Sequence, residues 1–407
     1  MTKDPALIDV HELRRRVSVD EFNLAAEAYF GRIQNWDYHL AKPFASVSEA
    51  PELLICLAQV VMGLRLAPEM TIVDFGAGSC WASRYLTQLG LQVISVDASA
   101  TALKIGKALY EKLPIIGSQP KPRFLVFDGH TIDLPDASVD RIICLDALHH
   151  VPNPERVLME MGRILSPGGI AGFSEPGPTH SQQPQSQYEM RTYGVLENDI
   201  HLDQIWQWAQ PAGFGDMKVA LFNASPVYAS LLEFEDYRKN GPLAEDVRRR
   251  SSSSQQEYLG FHNLFFLSKV GAQELDSRQR IGLAARLDLG ISGNEGPVGG
   301  RLLVQGTVNN NGGAIWLPAS ARIGAVKLGV HLLDQDGKGL DHDYYRQHLT
   351  PDPGRRVGIG ETVTVEFQIP LPHARGRYFL EFDLVSEGVA WFETNGCHPV
   401  RVAIHVI

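Results

Sequence analysis

The chain has 407 residues, too many for one compact core, so two or three domains are expected. Its 44% hydrophobic and 21% charged content are those of a globular protein and exclude a disordered or fibrous one. A net charge of −10 argues against nucleic acid as the main partner, because phosphate binding wants a basic surface.

At the N-terminus, MTKDPALIDVHELRRR has no apolar stretch of the kind a signal peptide needs. The dense basic runs, Arg14–Arg16 and Arg248–Arg250, read as solvated surface. Ser18-Val-Asp-Glu21 has the form of a capping box and opens a helix to about Ile33; Ser46-Val-Ser-Glu49 repeats the signal before a helix from Pro51 to about Leu64. The apolar run Leu53–Leu66 contains Gln59 and Arg65 and is too short to span a bilayer. Cys56, Cys80, Cys144 and Cys397 form no CxxC pair, which suits reduced thiols in a cytoplasmic protein.

From residue 72 the pattern alternates. "IVDFGAGSCWASRYL" is a strand, a glycine turn and a helix, and "LQVISVDAS" is a buried strand ending at Asp97. "TALKIGKALYEKL" is an amphipathic helix and "PRFLVFDGH" a third strand. "VDRIICLDALHHV" is a fourth, followed by the helix "NPERVLMEMGRIL", a "SPGG" stop and the fifth strand "IAGFSEPG". This predicts an α/β doubly wound fold with a mostly parallel sheet. Residues 176–199 are polar and turn-rich; "LDQIWQWAQPAGF" is helical, and "MKVALFN" and 261–270 are closing strands. Beyond about residue 280 the helical period vanishes. Alternating runs separated by Gly, Asn and Pro, with an Asp336-Gly337 hairpin turn, predict an all-β sandwich of immunoglobulin-like or jelly-roll topology. The expected domains are a helical segment or lid at 1–45, the α/β domain at 46–272 and the sandwich at 281–407.

The glycine turn asks for a ligand, since backbone N–H groups at the following helix point above it. A dinucleotide fold wants G-x-G-x-x-G, but the third glycine position is Trp81. The ordered motifs "VDFGAGS", "VISVD", "FDGH", "VDRIICLDALHHV" and "RILSPGGIAGFSEP" instead resemble the class I S-adenosylmethionine-dependent methyltransferases, in particular their ubiquinone/menaquinone-methyltransferase-like branch, over residues 40–270. The resemblance implies S-adenosylmethionine as cofactor. It implies that Asp74 meets its amino-acid part, that Asp97, 19 residues past Gly78, accepts its ribose hydroxyls, and that Gly76, Ala77, Gly78 and Ala98 also bind it. Asp128 is then expected beside the adenine amino group, with Gly129 leaving room for the ring and Leu145 and Asp146 lining the pocket. Cys80 stands where the family often has a third glycine and is small enough to keep the helix close.

Methyl transfer needs a nucleophile held in line and, for a hydroxyl, a base. His149, His150, Glu175 and His180 fall at or after the ends of strands four and five, and each is a candidate. The polar loop from Glu175, with Tyr188 and Arg191, suits a hydroxyl-rich acceptor; Tyr29, Trp36 and His39 belong to a segment that such folds lay over the cofactor. No His/Asp/Glu cluster has metal-ligand spacing, so no metal is expected. The sandwich carries Trp316, His342, Tyr344, Tyr345, Arg346 and Trp391 in turns, and is similar to modules of bacterial polysaccharide-processing proteins, which implies sugar binding. The reading is therefore a methyltransferase acting on a sugar or surface-glycan hydroxyl. A small-molecule or quinone/lipid methyltransferase, and a non-catalytic cofactor- or glycan-binding protein, are the alternatives. Oligomeric state is not legible.

Overall fold

The structure is a computed structural model that describes residues 7–223 and 225–407. The first residues of the expected N-terminal segment, 1–6, lie outside the described residues. The chain divides into two compact units, Met1–Gln273 and Glu274–Ile407.

In the first unit the helices α1 (Val10–Arg16), α2 (Val19–Gly31), α3 (Asp37–Ala41) and α4 (Ala50–Leu64) precede β1 (Thr71–Phe75). There follow α5 (Trp81–Gln88), β2 (Gln92–Asp97), α6 (Ala100–Lys112), β3 (Arg123–Val126) and β4 (Val139–Leu145). Next come α7 (Pro154–Ile164), β5 (Leu165–Pro176), α8 (Pro184–Tyr193), α9 (Leu202–Ala209) and β6 (Phe214–Val219). The unit closes with α10 (Leu231–Arg238), α11 (Ala244–Leu259) and β7 (His262–Lys269). The seven strands lie in the order β3-β2-β1-β4-β5-β7-β6. Strands β1 to β5 pair in parallel, and β7 enters antiparallel between β5 and β6. The order reverses at β1/β4, so the carboxyl ends of these two strands open a crevice for a ligand.

Sequence signals explain the joints. Ser18 and Glu21 form the expected capping box of α2. The second expected box does not form: Glu49 makes no cap and accepts instead from the Tyr38 hydroxyl, while Ser46 Oγ pairs with Ser48 Oγ. A nearby acceptor-seeking phenol outcompetes an N-cap amide. Strand β5 starts at Leu165, so "SPGG" is inside the strand, with Gly168 at φ +72°. Below the crevice, Val73, Ile142, Phe173 and Phe265 form one buried cluster that fixes the strand ends. The basic runs are partly neutralised by their own neighbours, as in Arg14–Glu155, Arg249–Asp246 and Arg250–Glu233. The four cysteines are free thiols. Among the described residues no helix is long and apolar enough to cross a membrane.

The second unit is all-β: β8 (Arg286–Ile291), β9 (Glu295–Gly296), β10 (Arg301–Asn309), β11 (Val326–Asp334), β12 (Gly339–His348), β13 (Thr362–Pro370), β14 (Gly376–Ser386), β15 (Ala390–Trp391) and β16 (Val400–Val406). Sheets β13-β10-β8 and β12-β11-β14-β16-β9 bury one core between them, with Val365 and Phe367 from one and Val330 and Phe382 from the other. The Asp336-Gly337 turn joins β11 to β12 as its sequence predicts: Gly337 takes φ +81°, and Asp334 accepts from the N–H groups of Asp336 and Lys338.

Candidate active site

The crevice is a cavity of about 330 Å³ at the ends of β1, β2 and β4, roofed by α2 and the segment through Lys42. Its floor is the glycine turn. Gly76 and Ala77 both donate to the Val96 carbonyl, at 2.8 and 3.0 Å, folding the turn back onto β2. Gly76 (φ +69°) and Gly78 (φ +51°) occupy the left-handed region, which favours glycine. The glycines do different jobs. A Cβ on Gly76 would lie 2.2 Å from Ala147 Cβ, so its bareness lets the ends of β1 and β4 close up. A Cβ on Gly78 would meet nothing nearer than Phe30 at 3.9 Å, so its bare face opens into the cavity. Cys80, the non-glycine in the turn, is itself left-handed at φ +59°. It fits because Gly106 of α6 stands opposite: a Cβ there would lie 2.3 Å from the Cys80 sulfur.

Asp97 ends β2 on the cavity wall. Its carboxylate accepts from Gly78 N–H and Ser99 N–H, both at 2.8 Å. Burial raises its pKa, and these two backbone donors work against the rise. Ala77, Ala98, Leu145 and Asp146 also line the cavity. Asp146 sits at φ +48° with its surface open to the cavity; the surrounding protein and the charge of Glu175 lift its carboxyl to about 7.

Asp74, Asp128 and Gly129 are each engaged by other parts of the protein. Asp74 is buried under the turn, where it accepts from Ser83 Oγ at 2.6 Å, and burial raises it to about 6; it does not line the cavity. Asp128 is exposed, and one of its carboxylate oxygens, Oδ1, accepts from the N–H groups of His130 and Thr131, both at 2.7 Å, stabilising its own turn. Gly129 lines the cavity as expected, and its bareness also admits the roof helix: a Cβ there would lie 2.4 and 2.6 Å from Val19 and Asn23 of α2. The roof is clamped by Glu27, which accepts from Ser99 Oγ at 2.6 Å and from the backbone and hydroxyl of Thr101 at the start of α6. Asn153, which its sequence context did not single out, donates to the Gly129 carbonyl at 3.0 Å and lines the cavity. Its Oδ1 is buried with no hydrogen-bond partner, an acceptor left for a ligand.

Of the four candidate bases only His150 lines the cavity. Its ring is 44% exposed, and its Nδ1 lies 2.7 Å from the Leu196 carbonyl. A carbonyl only accepts, so Nδ1 carries the proton and Nε2 is the basic nitrogen. Burial lowers its pKa, and the Glu197 charge more than reverses this. His149 is buried behind it, with Nδ1 2.8 Å from Glu175 Oε2. Glu175 is fully buried and saturated by donors from Cys144, the N–H groups of Ala147, Leu148 and His149, and the His149 ring. It therefore orders the loop after β4 and has no lone pair turned to an acceptor. Burial alone would raise its pKa, but these donors hold it low. His180 Nε2 donates to Glu197 Oε2 at 2.7 Å. Glu197 is thus the hub of three imidazoles, its carboxyl kept low by His180 and by the His150 and His149 rings against the burial that would raise it.

Tyr29, His39 and Lys42 line the cavity. Trp36 packs with Leu40, Ile105 and Leu109 instead, and Tyr188 and Arg191 are not part of the lining. The polar loop folds largely as α8, and its polarity is used internally: Gln187 bonds Ile8 and Ser181, and Arg191 donates to Gln187. In the second unit the expected sugar-facing aromatics differ in exposure: Trp316 is buried, Tyr344, Tyr345 and Trp391 are half-buried, and His342 is exposed. Tyr345 stacks on Phe367 and Tyr344 donates to the Pro370 carbonyl. Arg346 and His331 each lie 4.2 Å from the ring centroid of the half-buried Trp391.

A family model described as a methyltransferase domain matches residues 73–173, from β1 through most of β5. The chain is 25% identical over 189 residues to the demethylmenaquinone methyltransferase of Renibacterium salmoninarum, covering 41% of this chain and 76% of that one. It is 32% identical over 104 residues to the ubiquinone biosynthesis O-methyltransferase of Azoarcus sp., covering 25% of this chain but only 42% of that one. A thiol S-methyltransferase of Rattus norvegicus is 28% identical over 161 residues, with 37% and 62% covered. The first unit thus carries an S-adenosylmethionine-dependent methyltransferase domain of Rossmann-like fold. Its cofactor is S-adenosylmethionine, and the cavity's size, its bare Gly78 and its orphaned Asn153 oxygen fit such a ligand.

Proposed function

We propose that this protein methylates an oxygen of a small, partly apolar acceptor, with His150 receiving the acceptor's proton. One observation carries the reading: of His149, His150, Glu175 and His180, His150 alone reaches the cavity, and its Nδ1–H is committed to a carbonyl. The cofactor supplies an electrophilic methyl group when bound. Gly78 and Asp97 hold it at the turn, and Asn153 Oδ1 is the acceptor available to an adenine amino group. The acceptor enters beside His150, where Phe22, Phe30, Leu53 and Leu196 give the wall an apolar character. The quinone- and thiol-methylating relatives support a compact acceptor of this kind, such as a phenol. The glycan acceptor is the weaker reading, because the loop that suggested it spends its polar groups within the protein.

The test is transfer of labelled methyl from S-adenosylmethionine to a panel of phenols, sugars and thiols. Turnover on a hydroxyl acceptor is expected to fall by roughly 10²-fold or more in His150→Ala while S-adenosylhomocysteine still binds. Turnover that is indifferent to His150 would refute the role of this imidazole. Turnover confined to sugars would restore the glycan reading.

A further inference from the structure

We propose that His149, His150 and Glu197 form a site for one divalent transition-metal ion beside the methyl-transfer cavity. One ligand atom from each residue falls within 4.8 Å of the others, close enough to surround a single ion. The sequence could not show this, because Glu197 comes from the far end of the chain segment that follows β5. The fold brings it there deliberately: Asn198 N–H donates to the His149 carbonyl at 2.8 Å, and the Asn198 side chain to the Val151 carbonyl at 2.9 Å.

The donor chemistry supports a cation. His149 gives Nδ1 to the buried Glu175 carboxylate at 2.8 Å, which turns Nε2 toward Glu197 at 3.8 Å. A carboxylate behind one ring nitrogen and an open position before the other is the usual setting of a metal-binding histidine. Glu197 is 3% exposed, and its Oε1 makes no hydrogen bond; its nearest recorded neighbour is His150 Nδ1 at 3.4 Å. A buried carboxylate oxygen without a donor is costly unless something positive meets it. Two buried carboxylates against three imidazoles also leave a negative surplus that a divalent ion would cancel. Two nitrogens and an oxygen favour zinc, manganese or iron over magnesium. The binding claim stands apart from the proposed function. Only the ion's use rests on that reading: binding at His150 Nδ1 would require release of the proton now donated to the Leu196 carbonyl, and the ion would then make the acceptor hydroxyl acidic in place of that imidazole.

The test uses the full chain, stripped with chelator and titrated calorimetrically with zinc, then with manganese, without cofactor or acceptor. One saturable ion per chain is expected, with affinity falling at least about tenfold in both Glu197→Gln and His149→Ala. S-adenosylhomocysteine binding in each variant reports that the unit is folded, and Glu197→Gln keeps the side-chain shape should His149→Ala fail to fold. Absence of saturable binding, or zinc affinity unchanged in Glu197→Gln, would overturn the site and leave the methyltransferase reading untouched.

Discussion

Glu175→Gln is the most informative single change in the first unit. The native carboxylate collects Cys144 Sγ–H and the N–H groups of Ala147 and Leu148 on Oε1, and the His149 N–H and ring on Oε2. In the amide, Oε1 keeps its backbone donors but loses charge assistance, about 1 kcal/mol for each of the two N–H bonds. The new NH₂ faces the His149 N–H, leaving that buried donor unmet at a cost of about 1–3 kcal/mol. The His149 ring adapts by exchanging tautomers. Relief from burying a charge offsets part of the sum, so the net loss is about 2 kcal/mol. For a unit of this size that lowers the melting midpoint by roughly 4–8 °C. The assay is thermal unfolding of the full chain, following the transition that S-adenosylhomocysteine raises, since that ligand identifies the first unit. A midpoint unchanged within about 1 °C, or raised, would show that the carboxylate does not hold the loop after β4.

Gly76→Ala places a methyl 2.2 Å from Ala147 Cβ at φ +69°. It should cost about 3 kcal/mol or more in denaturant unfolding, and adding Ala147→Gly should recover only part, since the φ strain remains. No loss in the single variant would mean the ends of β1 and β4 are not packed as described. Protonation of His149 should weaken the first unit. Burial pushes His149 down to about 4, against about 6.5 when unfolded, so the folded state resists a proton that the unfolded chain accepts. The contribution of this ring is therefore full above about pH 6.5 and declines toward pH 4, by on the order of 3 kcal/mol at most. His150, held up by Glu197, and the carboxyls of Asp74 and Asp146, raised to about 6 and about 7, act in the opposite sense, so the ring is read by difference. The same shift of the denaturation midpoint between pH 7.5 and pH 5 in the native chain and in His149→Asn would contradict this.

The fold was legible because its signals are local. Strand runs ending in Gly76, Asp97 and Asp146 announce themselves by composition, and their spacing defines the parallel sheet. The turn and its partner Asp97 were legible for the same reason. What a side chain does with its lone pairs was not. Asp74, Asp128 and Glu175 occupy telling positions, yet Ser83, the His130 and Thr131 amides, and the loop after β4 claim their oxygens. The imidazole cluster stayed hidden because its hub, Glu197, sits in an unremarkable "VLENDI" stretch and arrives by chain reversal. Asn153 stands at the N-cap position of α7, but it makes no side-chain cap and lines the cavity instead. In the second unit the partners that bury Trp316 and stack on Tyr345 come from other strands, so the sequence does not show which of its aromatics are exposed.

The central claim is that the turn at Gly76–Gly78, with Asp97, cradles S-adenosylmethionine. Its most direct test is calorimetric titration of the full chain with S-adenosylhomocysteine, beside Asp97→Asn, which keeps an acceptor for the Gly78 amide. Saturable one-to-one binding, weakened about tenfold or more in the variant, is the expected result. No binding to the native chain, or identical affinity in Asp97→Asn, would contradict the claim.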